Sequence, residues 1–357
     1  MRKGCPVAYS DFLGWSVFRH ADVLRVLNEH DTFSNAVSSR RSVPNGMDPP
    51  EHTLYRSLIE PYFSDERIRD FEPVYRGIAR KLLERIPSDS GVEIMRSFAL
   101  PLSLQGQCRF LGWPDEMAHA IVDWADRSRE ATLAGDRGQL QQTADEFLAF
   151  VIALLDRRRG QADGEPNSVI SGLLRERADG KPLADEDIAS VLRNWTVGEL
   201  GSLASGIGII AHHLASDAGL QLRLRREPQL ISAAIEEILR ICGPLVYNRR
   251  VATRDVVLGG RRISAGERLS VFWVSANRDE AEFPRPAEVR FDRDSQQNLL
   301  FGAGIHVCPG APLARLELRV AVEELLRRST HISLGDSEPR TAIFPANGWA
   351  SLELILE

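Results

Sequence analysis

Apolar positions repeat at helical spacing along most of the chain. "HADVLRVLNEH" (20–30) carries one apolar stripe, and a polar, Ser-rich loop, "SNAVSSRRSVPNG", follows it. The next helix is announced by Asp48 as a cap, Pro49 at its first position and Glu51 three residues after the cap, and it runs through "HTLYRSLIEPYF" (52–63). Several helical stretches are predicted between 67 and 161, with "LAGDRG" (133–138) as the break between two of them. "GKPLADEDIASVLRNWTVGELGSLASGIGIIAHHLA" predicts a helix of roughly thirty residues with acids in its first turn, a length that implies a central, buried position. A further helix, "PQLISAAIEEILR", ends at "CGP", and strand patterns replace it: "DVVLGGRRI" with a Gly-Gly turn, then "ERLSVFWVS". Asn347-Gly348 predicts a last hairpin before the alternating "SLELILE". The pattern is that of a mainly α protein with small β-sheets. With no repeat, low-complexity tract or linker, one domain over residues 1–357 is expected.

Composition narrows the function classes. At 357 residues and 43% apolar the chain can bury a large core, and its net charge of −6, with no basic run beyond "RRR" at 157–159, argues against nucleic acid as a partner. No apolar run is long enough to span a bilayer and the start lacks a signal-peptide core, so a cytoplasmic protein without membrane contact is expected. Four cysteines lie far apart without a CxxC pair, so the sequence suggests neither a zinc knuckle nor a disulfide scaffold. Cys5, Cys108 and Cys242 read as small buried hydrophobes.

Cys308 reads differently. In "FGAGIHVCPG" (301–310) the glycines 302, 304 and 310 let backbone approach closely, while Pro309 removes an N–H, leaving Gly310 or Ala311 as donors to the sulfur. Leu313, Leu316 and Val320 recur at helical spacing, so Cys308 stands just before a helix N-terminus, where the dipole favours a thiolate. Such a thiolate is a nucleophile or a metal ligand. Two charged pairs accompany it: Glu237 and Arg240, three apart on one face, and His52 and Arg56, four apart and both able to donate to a carboxylate.

"FGAGIHVCPG" resembles the haem-thiolate loop of the cytochrome P450 family, FGxGxHxCxG, through Phe301, Gly302, Gly304, His306, Cys308 and Gly310. The resemblance runs from about residue 15 to the C-terminus and implies the P450 fold around a buried haem b with Cys308 as axial iron ligand. It further implies His52 and Arg56 in "MDPPEHTLYR", Arg250 in "NRRVATRDVVLGG", and His306 as propionate partners. Glu237, Arg240 and Arg290, the last from "FPRPAEVRFDR", are expected to form the family's buried structural network. The family's usual N-terminal helix is mostly absent, which predicts a more open substrate side or a trimmed chain.

One departure bears on mechanism. Where the family carries (A/G)Gx(D/E)(T/S), this chain reads "VGELGS"; the usual spacing of about 35 residues to "EEILR" puts Ser202 in the alcohol position, Gly201 in the acid position and Glu199 at the glycine. Ser202, helped by Glu199 or by water, is expected to deliver protons to reduced oxygen; the alternative is that Glu199 bonds a neighbouring helix or faces solvent. Leu200, Leu203, Leu245 and Val246 are candidate apolar walls of the substrate pocket, or plain core. The implied reaction is monooxygenation by O2 of a small hydrophobic or aromatic substrate, by hydroxylation or O-/N-dealkylation. Electrons are expected from a separate ferredoxin and ferredoxin reductase, with Arg315 and Arg319 either meeting an acidic donor or standing as ordinary surface residues of a monomer. The alternatives are a peroxide-driven peroxygenase and a non-catalytic haem or ligand binder.

Overall fold

The computed structural model describes residues 1–160 and 168–357. Helices dominate, and the strands form small sheets, the largest five-stranded. Its order is Val7–Ser10, Gly14–Val17, Arg268–Phe272, Tyr247–Ala252, Phe33–Ser34, with Gly14–Val17 and Arg268–Phe272 parallel and the other pairs antiparallel. Sequence-distant strands are thereby sewn into one edge of the molecule. Val17, Leu269 and Val271 bury one face of this sheet against Val23 and Val26 of the helix His20–Asn28.

The long helix runs through the centre in three joined pieces: Asp185–Val197, a π-helical turn Gly198–Leu203, and Ala204–Ser216. Asp185, Glu186 and Asp187 occupy its first turn, and Asp187 is also fixed by Arg41 Nε at 2.7 Å and by the Tyr55 hydroxyl. Nearly every residue from Leu203 to Ala211 is buried, so this segment needs no polar face. Against it pack the helices Leu100–Leu111, Ile231–Ile241 and Ala311–Arg328, and the last also lies along Asp65–Leu83.

Local expectations meet mixed outcomes. The break at 133–138 separates the helices Ala118–Ala134 and Arg137–Arg159, with Asp136 capping the second through Gln139 N–H at 3.0 Å. The Gly-Gly hairpin pairs Val256–Leu258 with Arg261–Ile263, both glycines at positive φ. Asp48 does not cap the helix Glu51–Ile59 with its side chain, because that carboxylate is taken by the Ser34 hydroxyl and Asn35 N–H. "ERLSVFWVS" is strand only to Phe272 and turns helical at Trp273–Ala276. Asn347-Gly348 lies on the returning limb of a longer loop that joins Arg340–Thr341 to Trp349–Ser351, rather than at a two-residue tip. Among the described residues no helix is long and apolar enough to cross a membrane.

Candidate active site

The cysteine loop is held by its own backbone. Cys308 N–H donates to Phe301 O at 2.9 Å, Val307 N–H to Gly304 O at 3.1 Å and Gly302 N–H to Leu299 O at 3.0 Å. Gly304 sits at φ +68°, and a Cβ there would fall 2.3 Å from Leu27 O, so the loop can press on the helix His20–Asn28 only with glycine at this position. The Arg315 guanidinium covers the Phe301 ring at 4.6 Å. Cys308 is exposed, but into an interior cavity rather than at the outer surface. Burial pushes its thiol pKa up, while the N–H groups of Gly310 and Ala311 and the charge of Arg56 pull it down. The donors left available by Pro309 are the ones that reach the sulfur.

Beside the sulfur lies a group of donors, two of them histidines with unpartnered ring nitrogens. The His52 and His306 rings are 4.3 Å apart between centroids, and neither His52 ring nitrogen nor His306 Nε2 has a hydrogen-bond partner. Burial and the neighbouring His52, Arg250 and Arg56 push His306 down to about 3, and burial and Arg56 lower His52. Arg250, buried on the strand Tyr247–Ala252, donates only to Arg249 O at 2.6 Å, and burial lowers it to about 10. Arg56 pairs with Glu60 at 2.7 Å. Orphaned buried donors of this kind call for an anion between them.

The cavity measures about 550 Å³ and reaches from Cys308, Arg56, Arg250 and His306 to the π turn. Glu199 and Ser202 both line it, yet they share no hydrogen bond with each other. Glu199 turns instead toward Glu317 of the helix Ala311–Arg328; burial raises Glu199 to about 7, and the interaction with Glu317 works against that rise. Gly198 and Gly201 face open space: a Cβ at either would meet nothing within 4 Å.

A chain 30% identical over 345 residues, a putative cytochrome P450, YjiB, of Bacillus subtilis, covers 93% of this chain and is itself 86% covered. The family profile described as Cytochrome P450 matches residues 130–346. The chain belongs to the cytochrome P450 family. It is also similar to the mycinamicin IV hydroxylase/epoxidase of Micromonospora griseorubida, at 31% identity over 91% of this chain and 84% of that one. Among solved structures it resembles CYP109E1 from Bacillus megaterium in complex with corticosterone, with a TM-score of 0.89 and 28% identity over 100% of this chain and 96% of that chain. As a P450 it is a haem b monooxygenase. The cavity fits that cofactor, since one cysteine sulfur faces a space lined by Arg56, Arg250 and the unpartnered Nε2 of His306, donors suited to carboxylates.

Two expectations need correction in this P450. The third member of the buried network is Arg293, whose Nε donates to Glu237 Oε2 at 3.0 Å beside the Glu237–Arg240 pair at 2.7 Å. Arg290 gives Glu237 only its backbone N–H, at 3.1 Å, and its guanidinium pairs with Asp292. Of the apolar wall candidates, Leu203 and Leu245 line the cavity; Leu200 packs against the main core, and neither it nor Val246 is among the cavity-lining residues. Arg315 and Arg319 stand at the surface of the helix Ala311–Arg328 in ion pairs, the first with Glu236 at 2.6 Å, the second with Glu72 at 2.7 Å and Glu323 at 3.0 Å.

Sequence reasoning missed Arg293 and Glu317. Glu317 left a signal, because it stands at a helical-stripe position beside Leu313, Leu316 and Val320, where a carboxylate is out of place.

Proposed function

We propose that this P450 oxygenates a compact, mainly apolar molecule bearing oxygen substituents, with electrons from a separate ferredoxin and its reductase. In this reading Cys308 ligates the haem iron, and His52, Arg56, Arg250 and His306 hold the propionates. The observation that carries it is the single sulfur at the cavity wall beside four cationic or orphaned donors. Thiolate-ligated haem supplies the activation of molecular oxygen. The chain binds and orients the substrate, keeps water out and holds the protons.

The walls support the substrate class. Val37, Trp195 and Leu245 are apolar, whereas Asn45 and Asn248 offer amides to a few oxygen functions, and the Asn194 amide is taken by Ser42 and Val43. The corticosterone complex of the similar Bacillus megaterium enzyme has a ligand of that chemistry. The small hydrophobic or aromatic substrate expected from the sequence is thus widened to one with a polar edge.

The test is optical. The ferric protein is titrated with steroids, terpenoids and small aromatics, and bound substrates are then incubated with a ferredoxin system or with hydrogen peroxide. The expected result is a thiolate-haem spectrum, lost in Cys308→His, a low-to-high-spin shift with oxygen-bearing polycyclic compounds, and product from the ferredoxin arm. Product with peroxide alone would replace this reading with a peroxygenase. A shift only with plain aromatics would overturn the substrate class.

A further inference from the structure

Four arginines, Arg40, Arg56, Arg249 and Arg250, border the cavity, against Glu199 as its one acid among the described residues, in a chain whose net charge is −6. The haem-site reading assigns Arg56 and Arg250, with the two histidines, to a pair of propionates, which leaves two cations over. Arg249 and Arg250 are neighbours on a strand and so point to opposite faces; the Arg249 guanidinium lies over the Tyr247 ring at 6.0 Å and donates to its hydroxyl at 3.3 Å. Arg40 has no such cover.

Arg40 stands on the Ser-rich loop next to an anchored stretch. Arg41 pairs with Glu51 and with Asp187, each at 2.7 Å, Val43 N–H donates to Ser190 Oγ at 2.9 Å, and Asn194 Nδ2 donates to Ser42 Oγ at 3.1 Å and Val43 O at 3.0 Å. These bonds tie the loop to the helix Asp185–Val197 just before the π turn, so Arg40 is placed by its neighbours rather than by its own contacts. Its side chain makes a single hydrogen bond, from Nη2 to Gln141 Oε1 at 2.6 Å, and that amide donates in turn to Asp145 at 2.8 Å. Near it is a second cation. Arg193, half-buried on the same helix, donates only to Arg41 O at 3.5 Å and Ser190 Oγ at 3.4 Å, and burial together with the charge of Arg40 lowers its pKa. Among the described residues no carboxylate pairs directly with either guanidinium. Two cations that repel each other beside an apolar cavity favour an anion between cavity and loop.

Resting on the haem-site reading above, we propose that the substrate is an amphipathic carboxylic acid, whose carboxylate pairs with Arg40 while its apolar body lies along Val37, Trp195 and Leu245. Arg40 Nε and Nη1 are free to form a forked pair with a planar carboxylate, and Arg193 adds its charge from outside the cavity wall. A phosphate fits less well, because its further charge would need a second guanidinium on the wall and Arg193 does not line it. The oxygen-bearing edge of the substrate is thereby narrowed to an acid.

The experiment measures dissociation constants of the ferric holoprotein by equilibrium dialysis at pH 7.5, with the spin-state shift recorded alongside. The probes are two matched pairs, abietic acid with methyl abietate and lithocholic acid with methyl lithocholate. Each acid is expected to bind about tenfold tighter than its ester at low salt, and molar salt to remove most of that preference. Arg40→Gln is expected to weaken acid binding about fivefold more than ester binding, Arg40→Lys to keep part of the preference, and both to retain the thiolate-haem spectrum as a check on folding. An acid that binds no more tightly than its ester, or not at all, overturns the proposal. A preference that survives in Arg40→Gln, or is lost instead in Arg249→Gln, overturns it as well. A wild type without a thiolate-haem spectrum defeats the haem-site reading instead; dialysis needs no chromophore, so the result on Arg40 stands apart from it.

Discussion

At the scale of single residues, direction of approach decides what a side chain does. Arg290 and Arg293 are three apart in one loop, but only the Arg293 guanidinium enters the pocket of Glu237, where it also donates to Pro284 O and Arg285 O. Removing a donor from a buried carboxylate is costly, whereas an exposed pair contributes little. Arg293→Ala is expected to destabilise the fold by about 3 kcal/mol and Arg290→Ala by under about 0.5 kcal/mol, read as urea midpoints. The Glu–Arg pair was legible because both residues share one helix. The third partner was not, because loop residues have no fixed period.

Glu199 and Glu324 give stability opposite dependences on pH. Glu199 is raised to about 7, so its contribution is full below the ordinary carboxyl range near 4.5 and is lost as pH rises through about 7. Glu324 is held down to about 2 by Arg80, Arg327 and Arg76, so its contribution is present above about 4.5 and is lost as pH falls toward 2. Denaturation midpoints across pH 3 to 9 are expected to show both limbs, with Glu199→Gln flattening the neutral limb and Glu324→Gln the acid one.

At the scale of elements, the cysteine loop and the central helix contrast in how much the sequence discloses. Ten contiguous residues fix the loop, since glycine and proline restrict the backbone where they stand. Gly304→Ala must part the loop from Leu27, and the expected result is at least a tenfold loss of retained haem, measured as the Soret-to-protein absorbance ratio. The central helix was legible in length and position but not in its internal turn. The π turn re-aims residues within one stretch of helix, so three-residue spacing did not bring Glu199 to Ser202. Gly201 faces open space, so Gly201→Asp fits without a clash. In a Glu199→Gln background it is expected to restore coupled turnover about tenfold or more, within the usual range for a positioned acid.

At the scale of the whole molecule, the helix Ala311–Arg328 joins two regions with different demands. Its first turns follow Cys308 and carry Glu317 into the core; its later turns carry Arg319, Glu323, Glu324 and Arg327 into an ion-pair lattice with Glu72, Arg76 and Arg80. The mainly helical class and the haem-thiolate loop could be read from pattern and motif. The lattice and the carboxyl pair could not, because they depend on helices distant in sequence meeting at particular heights. The lattice is half-exposed and therefore sensitive to salt: stability is expected to fall by about 1 kcal/mol between low and molar salt at neutral pH.

The π turn also bears on how this chain could change by descent. Such a turn holds one residue more than the α turns on either side, so loss of one residue within Gly198–Leu203 can be absorbed by a return to ordinary helix. The flanking halves would keep their neighbours while Glu199 and Ser202 were re-aimed. The most reaction-sensitive stretch of the molecule is thus the one where a single-codon deletion alters chemistry before it damages architecture.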